Sequence, residues 1–157
     1  MLLDANLLLY AVHTGAEQHE AAAAWITEQL NGPRRVGLPW QSLSAFLRIA
    51  THPRAFARPL TPAMAWERVE DWLSAPVAWI PHPGPEYRRI VGELMTAHAV
   101  SGNLVPDAAL AALAIEHGVT LYSNDTDFAR FDALSWSNPL TWCPMVRADA
   151  PRPRTSG

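Results

Sequence analysis

The chain has 157 residues, of which 49% are hydrophobic and 17% are charged, and its formal net charge is −3. This length and composition predict a single globular domain with a substantial core and exclude a disordered chain. The single cysteine excludes an internal disulfide framework and a cysteine-rich zinc site, and the net charge lacks the basic excess typical of a strong nucleic-acid binder.

The opening segment MLLDANLLLYAV is apolar, but its pattern is not that of a signal peptide. It lacks a basic start, and Asp4 and Asn6 interrupt it. No run in the chain approaches the roughly 20 apolar residues that a membrane span requires. We therefore expect a soluble, cytoplasmic protein with no membrane partner.

Helix-breaking residues divide the chain into short apolar segments, typical of strands, and longer amphipathic segments, typical of helices. The predicted strands lie at 1–3, 36–38, 77–80, 119–122 and 134–136. The predicted helices cover 6–12, 17–30, 40–50, 61–73, 86–99 and 106–117, with one helical turn at 127–130. This alternation predicts an α/β fold, a three-layer sandwich whose central parallel sheet has about five short strands. We expect one domain at 1–140 and a proline- and arginine-rich tail at 141–157 that is partly disordered.

Four aspartates lie at strand ends or at a helix start. Asp4 follows the first strand, and Asp107 lies in the first turn of the last long helix. Asp125 and Asp127 follow the fourth strand. Because ligand sites of parallel sheets lie at the carboxyl ends of the strands, we expect these side chains to meet at one edge. Grouped carboxylates stay ionised only around a cation, and oxygen ligands without clustered histidine or cysteine select Mg²⁺ or Mn²⁺.

Each of these aspartates also has a structural interpretation. Asp107 is placed to complement a helix dipole, and Asp127 to cap the following turn or to form an Asx turn with Asp125. Asp4 is the hardest to explain in this way, because an aspartate after so apolar a strand is costly to bury unless it is paired. Glu116 lies nine residues after Asp107 on the same helix, which places it on the opposite face.

Four segments, in order over residues 1–140, resemble those of PIN-domain ribonucleases, and most of all the VapC toxins of bacterial toxin–antitoxin pairs. The segments are LLDANLLLYA, LPWQSLSAFLRIATHPR, GNLVPDAALAALAIEHG and LYSNDTDFARF-x-x-L-x-W-x-NPL. The resemblance implies a PIN domain at 1–140 with a five-stranded parallel sheet and an acidic Mg²⁺ or Mn²⁺ pocket. It also implies RNA cleavage, a VapB-type antitoxin that blocks the groove, and a homodimer within the toxin–antitoxin complex.

The resemblance assigns roles to the aspartates. Asp4 and Asp107 would hold the principal metal ion, Asp125 would fill the last acidic position, and Asp127 would support it. The family commonly has a glutamate in the helix after the second strand, and in this chain that position is Ala45. Gln41, Ser42 and Ser44 are the nearby polar residues that could hold a metal-bound water instead, and the number of metal ions stays open.

Substrate and partner contacts are expected around this pocket. The candidates for RNA binding are Arg48, Asn6 and Ser123, with Arg54 and Arg58 at the rim. The tryptophan- and proline-rich region 53–85 is the expected docking groove for an antitoxin helix. The seven tryptophans otherwise lie at helical or strand-face positions, where core packing is expected rather than base stacking, and the six histidines show no ligand spacing.

The sequence therefore favours a Mg²⁺-dependent endoribonuclease that acts as the toxin of a type II toxin–antitoxin pair. A metal-activated water would hydrolyse the RNA phosphodiester. Two alternatives stay open. One is a catalytically impaired PIN module that binds RNA or antitoxin without cleaving, and the other is a metal-dependent DNA nuclease of the same fold.

Overall fold

A computed structural model describes residues 1–141. The five strands are Leu2–Leu3 (β1), Val36–Gly37 (β2), Ala78–Trp79 (β3), Leu121–Tyr122 (β4) and Trp136–Ser137 (β5). The six α-helices are Ala5–Val12 (α1), His19–Asn31 (α2), Trp40–Ala50 (α3), Pro62–Leu73 (α4), Tyr87–Ala97 (α5) and Val105–Glu116 (α6). Short 3₁₀ helices cover Gly102–Leu104, Thr126–Arg130 and Pro139–Thr141. The tail predicted at 141–157, with Cys143, lies outside the described residues apart from position 141.

The strands form one parallel sheet in the order β3-β2-β1-β4-β5. The prediction of a central parallel sheet with about five short strands is therefore confirmed. β1 is the central strand, and Leu2 pairs with Gly37 of β2 on one side and with Leu121 of β4 on the other. Asp4 consequently lies at the carboxyl end of the middle of the sheet.

Helices cover both faces of the sheet and give two hydrophobic cores. Leu2 is fully buried in one core, against residues of α5 and α6 together with Phe128 and Phe131. Leu3 is fully buried in the other core, which residues of α1, α2, α3 and α4 complete. Because successive strand residues point to opposite faces, two adjacent leucines anchor the sheet to both helical layers. This is the predicted three-layer arrangement.

The predicted and observed element boundaries differ by a few residues. The last strand was predicted at 134–136 but is Trp136–Ser137, because Leu134 belongs to the preceding turn, where its N–H donates to Phe131 O at 2.9 Å. α6 begins at Val105, directly after a 3₁₀ turn, and Pro106 occupies a first-turn position where a missing N–H costs nothing. None of the helices within 1–141 is long and apolar enough to cross a membrane.

Gly37 is required where β2 lies against the central strand. A Cβ added to Gly37 would collide with the Leu2 side chain, and it would stand 3.0 Å from Met1 O and 3.3 Å from Trp79 Cε2. The Leu2 side chain is fully buried and the carbonyl belongs to the backbone, so neither neighbour can move freely. Packing between adjacent strands therefore dictates glycine at this position.

We expect Gly37→Ala to lower the free energy of unfolding by about 1–3 kcal/mol, because overpacking displaces the central strands. Gly92→Ala is the matched control, since an added Cβ on this exposed α5 residue meets nothing within 4 Å. That control should stabilise the protein by up to about 1 kcal/mol through helix propensity. Urea unfolding measures both changes, and equal effects of the two variants would contradict the packing argument.

Candidate active site

An open cavity of about 400 Å³ lies at the carboxyl edge of the sheet. Aspartates reach it from three places: the start of α1, the start of α6 and the segment after β4. Asp4, Asp107 and Asp125 are all among its lining residues. The structure thus brings together three of the four aspartates that the sequence singled out.

Asp4 is held by two hydrogen bonds at the end of β1. Its Oδ1 accepts from the Ala5 backbone N at 2.6 Å, which caps α1, and its Oδ2 accepts from the Ser123 hydroxyl at 2.7 Å. Burial raises the pKa of the Asp4 carboxyl above its ordinary value, these two hydrogen bonds oppose the rise, and the Asp125 charge adds to it. The carboxylate is therefore fixed in position but destabilised as an anion.

Ser123 is fully buried and uses its whole hydrogen-bonding capacity. Its hydroxyl donates to Asp4 and accepts from Asn6 Nδ2 at 2.8 Å and from the Asp125 backbone N at 2.9 Å. A hydroxyl has one donor and two acceptor positions, and all three are occupied. This corrects the expectation that Ser123 contacts substrate: with no exposed surface, it positions Asp4 and Asp125 instead.

A chain of side-chain amides continues this network across the strand ends. Asn6 lines the cavity, and its Oδ1 accepts from the Asn124 backbone N at 3.2 Å. Asn138 Nδ2 in turn donates to Asn124 Oδ1 at 2.8 Å, which ties the end of β5 to the end of β4. Asn124 and Asn138 were not predicted as part of the site. A Ser-Asn pair after each of two predicted neighbouring strands was the available signal.

Asp107 is the carboxylate with the most perturbed acidity. Its pKa is raised to about 6, mainly because burial desolvates the carboxylate and further because of the negative charges of Asp4, Asp125 and Asp127, against an opposing effect of Arg130. Among residues 1–141, neither oxygen of Asp107 has a hydrogen-bond partner. The group therefore lacks compensation for the charge it carries at neutral pH.

Asp125 and Asp127 have different surroundings. Asp125 Oδ1 accepts from the Asp127 backbone N at 2.8 Å and caps the 3₁₀ helix Thr126–Arg130. The exposed Asp127 carboxylate accepts from Arg130 Nη2 at 2.9 Å and is not among the residues that line the cavity. The expected role of Asp127 as a metal ligand that supports Asp125 stays a prediction, and in this structure its carboxylate is paired with Arg130 at the edge of the site.

One face of α3 forms the opposite wall of the cavity. Gln41, Ser42, Ala45 and Arg48 all line it, as their spacing of one, four and seven residues requires. Ala45 thus faces the aspartates, so the position where a glutamate was expected lies in the pocket. Ser42 is 1% exposed and its hydroxyl has no partner within the described part of the chain, whereas Ser44 is exposed and does not line the cavity.

Arg48 is the single cationic residue among those that line this cavity. The other two arginines expected at the rim lie elsewhere. Arg58 lines a separate cavity beside α2 and α4, and Arg54 lies in the exposed loop after α3. Glu116, which the sequence excluded, instead accepts the backbone N–H groups of Gly84, Glu86 and Tyr87 at 2.8–2.9 Å.

The donor set suits a hard cation that retains water. The cavity offers carboxylate oxygens, and mutual repulsion among them would be relieved by a positive ion. No three Asp, Glu, His or Cys side chains within 1–141 form a complete metal-binding group. An ion there would be bound by one or two carboxylates and would keep several waters, which is the usual binding mode of Mg²⁺.

The model of the PIN domain matches residues 1–134. The chain belongs to the PIN-domain family. It is 43% identical over 138 residues to Ribonuclease VapC37 of Mycobacterium tuberculosis, covering 88% of this chain and 96% of the relative. It is 44% identical over 137 residues to Ribonuclease VapC33 of the same species, covering 87% and 96%. These identities place it among the VapC members of the PIN-domain family and confirm the resemblance inferred from its sequence segments.

A solved structure has the same fold as this chain. It is VapBC2 from Rickettsia felis bound to a DNA fragment from their promoter, with a TM-score of 0.61 at 17% sequence identity. The match covers 87% of this chain and 96% of the other. At this identity, the likeness concerns the arrangement of strands and helices alone.

Two buried serines of this VapC protein provide a matched test of the network. Ser123→Ala removes three hydrogen bonds and leaves Asp4 Oδ2 without a donor, so we expect a loss of about 2–3 kcal/mol of stability. Ser42→Ala removes a buried hydroxyl that has no partner, so the same change should be neutral or stabilising by up to about 1 kcal/mol. Chemical denaturation of both variants decides this, and comparable losses would refute the assigned contacts.

The acidity of Asp107 predicts a pH-dependent stability. Its folded-state pKa of about 6 exceeds the ordinary 3.8, so ionisation favours the unfolded chain. The destabilisation is absent below about pH 4, grows up to about pH 6 and then stays constant. In metal-free buffer, Asp107→Asn should therefore raise stability at pH 7.5 by about 1 kcal/mol, a value reduced for the solvent that screens this half-exposed group.

Urea unfolding of wild type and Asp107→Asn at pH 4, 5.5 and 7.5 measures this difference. The gap between the two proteins should widen with pH. A gap that is constant from pH 4 to 7.5, or an asparagine variant that is less stable at pH 7.5, would contradict the proposed surroundings of Asp107.

Proposed function

We propose that this VapC protein is a Mg²⁺-dependent endoribonuclease that acts as the toxin of a type II toxin–antitoxin pair. The observation that carries the proposal is the convergence of Asp4, Asp107 and Asp125 on one open cavity that also holds a single arginine. Relatives at 43% and 44% identity are named ribonucleases, which supports RNA as the substrate.

The residues of the cavity would have different roles in hydrolysis. Asp4 and Asp107 would hold the principal metal ion, and Asp125 would contact it through water. Mg²⁺, when bound, supplies a water of lowered pKa and neutralises charge at the reacting phosphate. Ser123 keeps the Asp4 carboxylate from rotating away, since the hydroxyl bonds to Oδ2 while the Ala5 N–H bonds to Oδ1. Arg48 faces these acids and would bind a substrate phosphate through charge-assisted hydrogen bonds.

A specific observation supports a second candidate function. Ala45 faces the cavity where a carboxylate would add a further ligand, and Gln41 and Ser42 beside it carry no charge. A site with three carboxylates binds cations less strongly than one with four, so a module that binds RNA or antitoxin without cleaving it is the alternative. A DNA nuclease of the same fold is distinguished by its substrate.

Asp4→Asn and Asp107→Asn test the nuclease proposal. Each removes a charged ligand, so we expect RNA cleavage in Mg²⁺ to fall at least about 100-fold, in line with the loss of a group that positions a catalytic metal. The melting temperature should rise with Mn²⁺ in wild type and much less in either variant. Arg54→Ala, outside the cavity, is the control and should cleave normally.

Three results would redirect this proposal. Undiminished cleavage by both asparagine variants would place the reaction elsewhere. RNA binding without cleavage by the wild type would favour the binding module, and cleavage of single-stranded DNA in preference to RNA would favour a DNA nuclease.

The partner that we propose is a VapB-type antitoxin, supported by the VapBC assembly that shares the fold. A cavity of about 580 Å³ between α1, α2 and α4 includes Ile26, Arg58 and Met64 and overlaps the predicted docking region 53–85. Of the three tryptophans in that region, Trp66 is exposed, Trp79 is partly buried and Trp72 is buried, so the groove is less tryptophan-rich than the sequence suggested. The homodimer stays a prediction from the family resemblance.

Met64→Asp tests this docking site. An unpaired charge buried by an apolar helix is costly, so affinity for the co-expressed antitoxin should fall more than about 10-fold, measured by calorimetry. Ala97→Glu on the exposed side of α5 is the control. Unchanged affinity of the Met64 variant would exclude the cavity as the docking groove.

A further inference from the structure

A second concavity adjoins the candidate active site on the outer side of α3. It is an open shelf of about 380 Å³ formed by Leu47, Arg48, Thr51, Pro62 and Trp66. Arg48 lines both this shelf and the cavity with the aspartates. A molecule that extends from the aspartates past Arg48 therefore reaches the shelf directly.

Trp66 is exposed although its helix buries another tryptophan. On α4, Trp72 is 8% exposed and packs edge-on against Phe46 with ring centroids 4.9 Å apart, whereas Trp66 is 45% exposed. The buried face of α4 is defined by Ala65, Val69 and Trp72, so Trp66 does not serve the core. Its indole face is thus available to a molecule in the shelf.

The charge of the shelf favours a nucleic acid as its occupant. Arg48 is exposed, and within 1–141 it forms no ion pair, so its guanidinium is available to an anion. An aromatic face next to a guanidinium is the combination that binds single-stranded nucleic acids, with the base stacked and the phosphate paired. The three other residues of the shelf carry no charge that would oppose a phosphate.

We propose that this shelf is a base-binding subsite for single-stranded RNA. Trp66 stacks on the base of the second nucleotide from the scissile phosphate, and Arg48 contacts the phosphate that joins this nucleotide to the first. This inference rests on the proposed ribonuclease function. Stacking accepts every base but gains from a larger ring, so the subsite prefers a purine. Trp66 would thus influence which RNA sequences are cut, while the aspartates perform the reaction.

The test uses the full chain with Asp4→Asn, which prevents cleavage, and fluorescent single-stranded oligoribonucleotides that carry one abasic nucleotide at successive positions. Affinity measured by anisotropy in Mg²⁺ should fall about 5- to 50-fold when the abasic nucleotide occupies the shelf position. With Trp66→Ala added, the intact oligonucleotide should lose the same affinity and the sensitivity to that abasic position should disappear, as a double-mutant cycle requires. Trp66→Phe should retain most of the affinity.

Trp40→Ala is the matched control, because Trp40 is 41% exposed on α3 and lines neither cavity. In the cleaving protein, Trp66→Ala should raise KM for long substrates more than for a dinucleotide, which is too short to reach the shelf. Wild-type affinity of Trp66→Ala for RNA overturns the subsite. The subsite is also overturned if Trp66→Ala changes only self-association or antitoxin binding, measured by light scattering. That result would make the shelf a protein interface.

The subsite and the nuclease proposal fail in distinguishable ways. If Asp4→Asn abolishes RNA cleavage and Trp66→Ala leaves it unchanged on every substrate, the subsite proposal fails and the nuclease proposal stands. If RNA binding shows the coupling between Trp66→Ala and the abasic position but the wild type cleaves no RNA, the nuclease proposal fails and the base-binding subsite stands. A wild-type protein that binds no RNA overturns both.

Discussion

The hydrogen bond from the Ser123 hydroxyl to the Asp4 carboxylate is the contact on which the geometry of the site depends. It joins the ends of the two central strands, β1 and β4, beneath the cavity. A carboxylate at this depth is costly without a donor, and serine supplies one while still accepting from Asn6 and Asp125. One buried atom, the Ser123 Oγ, therefore holds together the start of α1, the end of β4 and the loop that carries Asp125.

Three aspartates near this contact differ because their surroundings differ. Asp4 is desolvated but hydrogen-bonded, Asp107 is desolvated and without a partner, and Asp127 is exposed and paired with Arg130. Repulsion is concentrated at Asp107, which Val105–Glu116 presents from its first turn. Glu116, at the other end of that helix, accepts hydrogen bonds from three backbone N–H groups of the segment that leads into α5.

The sequence predicted the sheet, its five strands and the meeting of Asp4, Asp107 and Asp125, because apolar periodicity and the rule for parallel sheets constrain those features. The Asx turn between Asp125 and Asp127 was also among the predictions. The buried position of Ser123 and the ion pair of Asp127 could not be derived in this way. Whether a polar side chain is buried beneath a site or exposed beside it depends on the path of the loop after β4, and local patterns do not specify that path. The ion pair between Arg130 and Asp127 likewise depends on the geometry of the 3₁₀ helix Thr126–Arg130.

Each strand of the sheet is two residues long, including the outer strands β3 and β5. Outer strands expose unpaired backbone groups that other chains can extend, and very short ones offer little for such pairing. Cohesion instead comes from helices packed on both faces, while loops at the strand ends form the polar network. The architecture is therefore little exposed to edge-to-edge aggregation.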